Sequence, residues 1–160
     1  MHPQLQRIFD EAENRYLQTN ELNNLGQYVG SLPKRLDTYR TLRNSELSIL
    51  QEVATQLQAE MPQEPIEALE RSIKNALVSL RYCTMGMLLD DATFLEERLL
   101  IWLRHTARPC GNPAIDTVLC RLLNQQLAQT LTATQIGLLK PMLTLAEAEL
   151  TMPVTNSLAP

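Results

Sequence analysis

A chain of 160 residues and 18.1 kDa, 44% hydrophobic and 20% charged, can bury a core without disulfides or a structural metal and is too apolar for disorder. Its formal charge of -4 and sequence pI near 5.2, with scattered Lys and Arg and no aromatic platform, argue against a nucleic-acid partner. Leu99-Leu100-Ile101-Trp102-Leu103 is too short to span a bilayer, the N-terminus lacks an export signal, and Cys83, Cys110 and Cys120 form no CxxC, so a single soluble, cytoplasmic domain with reduced thiols is expected.

Strand signals are nearly absent and helical periodicity runs throughout. Leu5, Ile8, Phe9 and Ala12 share one face of a first helix that ends near Leu17. Thr19 or Asn20 can cap the next, with Glu21 in its first turn. Leu22, Leu25, Val29 and Leu32 follow at steps of three and four. Gly30 and Pro33 break the pattern, and Pro33 suits the start of a new helix. Further helices carry Leu36, Tyr39 and Leu42, then Leu47, Leu50, Val53 and Leu57, before Met61-Pro62-Gln63-Glu64-Pro65 stops the run. The longest pattern, residues 66–89, places Ile73, Leu77, Leu80, Met87 and Leu88 together. The acids of Asp90-Asp91-Ala92-Thr93 can cap a helix bearing Leu95, Leu99, Trp102 and Leu103. A loop at residues 108–113 precedes the helix of Ile115, Val118, Leu119, Leu122, Leu123 and Leu127. Thr132 or Thr134 opens the last helix, which Pro141 should kink. Seven or eight unequal helices with short loops suit an all-α, globin-like packing; residues 1–150 form one domain and 151–160 a loose tail.

Three stretches carry a resemblance. Ala12-Glu13-Asn14-Arg15-Tyr16-Leu17 with Glu21-Leu22, Leu80-Arg81-Tyr82-Cys83-Thr84 through Leu88 with the acidic turn after it, and Cys110-Gly111-Asn112-Pro113-Ala114-Ile115-Asp116 appear in order and at the spacing of phycobiliprotein subunits. The chain resembles that family over residues 5–150. The resemblance implies a phycocyanin-like globin fold with an N-terminal helical hairpin that serves for association.

Departures from the family pattern fall on the pigment site. The position implied for thioether attachment of an open-chain tetrapyrrole is Ser72, and the implied propionate and pyrrole partners are Lys74 and Asn75. Serine lacks the nucleophilicity of a thiolate, lysine lacks the planar fork of arginine, and asparagine lacks the anion that favours a protonated bilin. Leu77, Val78 and Ser79 stand where tyrosines are expected, and the wall segment is shortened to residues 61–70. The expectation is therefore no covalently bound cofactor, no metal and no enzyme activity. The partners implied are phycobilisome or bilin-metabolism proteins, met as a homodimer or heterodimer. The resemblance also assigns Leu5, Ile8 and Phe9 to the association surface and pairs Glu11 with Arg81 of another subunit. A noncovalent bilin or haem carrier is the alternative. His105, near a helix end, reads as a cap before it reads as a haem ligand, and Asp90/Asp91 and Glu96/Glu97 read as solvated caps. Cys83 and Cys120 read as core, and Cys110 as the accessible thiol.

Overall fold

The computed structural model describes residues 3–152 and is helical throughout, without strands among those residues. Six helices follow in order: α1 (Pro3–Ala12), α2 (Thr19–Glu60), α3 (Ile66–Leu89), α4 (Ala92–Leu95), α5 (Pro113–Thr130) and α6 (Ala133–Thr151). The expected tail begins at Thr151, the last residue of α6; residues 153–160 lie outside the described residues.

The polar signals at helix ends act locally. Glu21 reaches back to the Gln18 amide at 2.7 Å, so α2 is capped one residue earlier than expected. Asp91 accepts from the Thr93 and Phe94 amides and opens α4. Asn112 accepts from Ala114, with Pro113 in the first turn of α5, and Thr132 caps α6.

One proline reading is corrected. Gly30 and Pro33 lie inside the single long helix α2 instead of dividing it, so the three helices expected between residues 19 and 60 are one. The Pro33 ring faces solvent, and the apolar phase of Val29, Leu32 and Leu36 continues across it. Nearby, Ser31 Oγ (2.9 Å) and Arg35 Nη2 (2.9 Å) both donate to the Tyr28 carbonyl. Pro141 likewise sits inside α6 on its exposed side.

The expected single helix after Asp91 is also more irregular. From α4 the chain runs on through π-helical turns at Glu96–Leu100 and Leu103–Ala107 into a 3-10 turn at Arg108–Cys110. These turns let Arg104 bridge Glu96 (2.6 Å) and Glu149 of α6 (2.7 Å), with Arg108 also reaching Glu149 at 3.3 Å. Glu96 is thus an ion-pair partner and not the solvated cap expected of it.

The core lies where α2, α3, α5 and α6 meet, around Leu42, Val53, Leu57, Leu80, Cys83, Leu95, Leu99, Ile115, Leu119 and Leu139. Each fully buried leucine contributes about 1.5–3 kcal/mol of transfer free energy, so these crossings fix the frame that holds the sites below. A polar staple adds to it. Arg35 is buried, lies 4.4 Å over the Tyr28 ring, and donates to the carbonyl of Leu88 at the C-terminal end of α3. There the partial negative charge of the helix end favours a cation.

Candidate functional site

Ser72 projects from α3 toward the turn that begins α5. Its side chain is buried and faces the equally buried Asp116 carboxylate. Asp116 Oδ1 has no partner among the described residues. The other oxygen, Oδ2, faces Gly111. A Cβ there would meet Asp116 Oδ2 at 3.2 Å, the Ala107 carbonyl at 3.3 Å and the Arg108 carbonyl at 3.5 Å, so three oxygens converge with the glycine allowing their approach. Burial raises the Asp116 pKa above its ordinary value, and the Ser72 hydrogen bond only partly offsets this.

A depression of about 260 Å³ opens beside this pair, lined by Glu64, Ala68, Arg71, Ser72, Cys110 and Asn112. It falls below the roughly 300–1,000 Å³ of ordinary small-molecule sites. Arg71 Nη1 donates to the Cys110 carbonyl at 2.8 Å, and Asn112 Nδ2 lies 3.5 Å from Glu64 Oε2 across the depression. Lys74 turns away from the depression: its side chain is 76% exposed and lies 4.0 Å from Glu70. Asn75 is half-buried one turn from Ser72 and Ser79, whose Oγ is buried without a partner among the described residues. Of the three expected pocket residues, Ser72 alone lines the depression.

The thiols differ sharply. Cys83 and Cys120 are buried, and burial, helped by Glu147, pushes both up to about 12. Cys110 is exposed on the rim of the depression. Sequence reasoning missed Asp116 as the partner of Ser72. The motif residue was visible, but its approach to α3 depends on the tertiary packing of Ile115 beneath it. His105 is exposed on the irregular stretch after α4, and no group of three metal-ligating side chains occurs among the described residues.

The hairpin is closed by Arg15, which bridges Glu21 (2.6 Å) and Glu11 (2.7 Å). The Arg15 hydrogen bond and the Gln18 amide hold Glu21 down at about 2. Leu5 and Ile8 are buried within the chain and line a shallow groove with Asn24, Tyr28, Ser31 and Asp90. Phe9 remains 45% exposed. Arg81 makes a two-pronged bridge to Glu46 (2.7 and 2.9 Å) in the same chain, so both residues of the expected Glu11–Arg81 pair have internal partners. The rest of that motif is structural. Leu80 and Cys83 are core, Tyr82 packs near Phe94 with ring centroids 6.1 Å apart, and Thr84 bonds the Leu80 carbonyl at 2.7 Å.

The described residues form an all-helical, globin-like body with a clasped N-terminal hairpin and a helix-to-loop depression at Ser72. A family model described as "Phycobilisome protein" matches residues 9–150, and the chain belongs to that family, a phycobiliprotein relative. Among curated relatives, the C-phycocyanin beta subunit of Arthrospira platensis is 28% identical over 67% of this chain and 68% of its own length. The C-phycocyanin beta subunit of Synechocystis sp. (strain PCC 6701) is 27% identical over 64% of each. The C-phycocyanin beta chain of Pyropia yezoensis is also 27% identical over 64% of each, so the chain spans slightly under two thirds of several relatives it matches. No described helix is long and apolar enough to cross a membrane.

Proposed function

We propose that this protein is a non-catalytic phycobiliprotein relative that carries no covalent bilin and acts by binding phycobilisome or bilin-metabolism proteins. The observation that carries the reading is the buried Ser72–Asp116 pair in a depression of about 260 Å³, with Lys74 turned to solvent. A serine hydroxyl lacks the nucleophilicity of a thiolate, and the depression lacks the space for a thioether-linked tetrapyrrole. On the hairpin and the outer face of α2, Phe9, Tyr16, Leu22 and Val29 face solvent. Such apolar residues on a soluble subunit mark an association surface, with Glu11 and Arg81 at its edges. The protein is then cytoplasmic and phycobilisome-associated, as a homodimer or heterodimer.

Purified protein mixed with a free open-chain bilin tests the reading. A noncovalent complex should be weak, reversible and spectrally close to free pigment, with Lys74→Ala lowering affinity where its charge meets a propionate. Tight binding with a sharply red-shifted band would overturn it in favour of a carrier. Pull-down by an immobilised phycocyanin β subunit, abolished by deleting the residues before Leu17, supports the association half; no binding to any phycobilisome subunit counts against it.

A further inference from the structure

α5 and α6 are joined by the short turn at Leu131 and Thr132, and a groove of about 340 Å³ runs between them from that turn. Its floor is apolar: Leu127 and Leu131 come from α5, and Ile136, Leu139 and Leu143 from α6. The three α6 positions recur at steps of three and four, which keeps them on one stripe of the helix. The volume falls within the roughly 300–1,000 Å³ of ordinary small-molecule sites. The groove shares no lining residue with the depression at Ser72.

At the end away from the turn stands a carboxylate without a cation. Glu147 is half-buried, and Asn124 Nδ2 donates to its Oε1 at 2.6 Å. Its Oε2 has no partner among the described residues. Other shielded glutamates are paired: Glu21 with Arg15, Glu46 with Arg81, and Glu96 and Glu149 with Arg104. Lys140 cannot supply the missing charge. It stands seven residues before Glu147 on α6, roughly 10 Å along the axis and beyond the spacing at which helix neighbours pair. From the neighbouring helices, the titratable groups near Glu147 are the thiols of Cys83 on α3 and Cys120 on α5, kept neutral and pushed up to about 12 chiefly by burial. Burial likewise raises the Glu147 pKa, and the Asn124 bond only partly offsets this. The charged carboxylate has lost solvent without gaining a counter-ion.

We infer that this groove binds a small apolar primary amine, its ammonium on Glu147 beside Asn124 and its hydrocarbon laid toward Leu131 and Ile136. At about 1.5 Å per residue, Ile136 and Glu147 lie roughly 16 Å apart along α6, room for an extended alkyl chain. The ammonium supplies the charge that the fold leaves out, through a charge-assisted hydrogen bond to the free oxygen. The leucine-lined trough removes the hydrocarbon from water. Lys140, exposed partway along the groove, disfavours an ammonium at the other end and so fixes the orientation. An alcohol of the same length gains only the apolar part, and a carboxylate brings like charge to Glu147. The inference goes beyond the association reading above and does not rest on it.

Calorimetric titration of the full chain with octylamine, 1-octanol and octanoate at pH 7 tests it. Octylamine should bind at least about tenfold more tightly than octanol, with octanoate the weakest. Glu147→Gln keeps an acceptor for Asn124 and should bring octylamine down to the level of octanol while leaving octanol unchanged. Ala128→Trp, at an exposed position on the α5 wall, should block octylamine and octanol alike with the melting temperature unchanged. Octylamine that binds no better than octanol, or as well to Glu147→Gln as to wild type, overturns the inference. Octanoate binding most tightly, and weakening in Lys140→Ala, overturns it by giving the groove to anions. Failure of all three to bind at millimolar concentration overturns the site itself.

Discussion

Replacing Asp116 by asparagine tests the reading of the pair at the pigment position. In the wild type, the Asp116 carboxylate is buried beside Ser72, and its Oδ1 has no partner among the described residues. A buried acceptor without a partner costs about 1–3 kcal/mol. Asparagine keeps an acceptor for Ser72, abolishes ionisation and brings a donor into a cluster of oxygens. Asp116→Asn should therefore stabilise the protein at pH 7 by about 1–2 kcal/mol, a rise in Tm of about 2–8 °C. The pH dependence has a definite sign. Burial raises the folded-state pKa above 3.8, so the unfolded chain releases this proton first. The wild type then loses stability as pH climbs from 3.8 through the folded value, and the advantage of the variant should fade toward and below pH 3.8. Urea unfolding of both proteins from pH 3 to 7 measures this. A variant less stable than wild type at pH 7 by more than about 1 kcal/mol would refute the reasoning, because the carboxylate would then be engaged as an anion.

In native protein, 5,5′-dithiobis(2-nitrobenzoate) should titrate Cys110 at once, while Cys83 and Cys120, buried and pushed up to about 12, react only on unfolding; rapid loss of three thiols would contradict the packing. Glu21, held down at about 2 from 4.5 by Arg15, should clasp the hairpin fully above pH 4.5 and release it as pH falls toward 2. Glu21→Gln should raise amide exchange in α1 at pH 7, and unchanged exchange would count against the clasp. Ser72→Cys alone should not install a pigment, because Lys74 still faces solvent and the depression stays at about 260 Å³; a fluorescent, zinc-stained band from this variant would show that the thiol was the sole deficiency.

Much of the fold was legible because helix ends announce themselves. Asp91, Asn112 and Thr132 cap helices through side-chain chemistry readable from residue type and the two or three residues that follow. Pro33 misled because a proline rule speaks of one residue, whereas the apolar phase of Val29, Leu32 and Leu36 speaks of the whole helix and prevailed. The family motif at Arg81 was visible, but its internal bridge to Glu46, 35 residues away, depends on how α2 crosses α3. Leu5 and Ile8 show the same limit. Periodicity marks an apolar face without saying how much of it the chain itself covers, and here Leu5 and Ile8 are already buried within one chain. At the site, the serine at the position the resemblance implies for attachment was legible, whereas its burial beside Asp116 required the packing of α5 on α3.

Intact-mass spectrometry tests the central claim most directly, on protein coexpressed with a bilin supply and phycobiliprotein lyases. The account predicts a single species at the 18.1 kDa of the polypeptide, allowing for N-terminal processing, with no tetrapyrrole adduct. A species heavier by one bilin, lost in Cys110→Ala, would contradict it and place a covalent pigment at the rim of the depression.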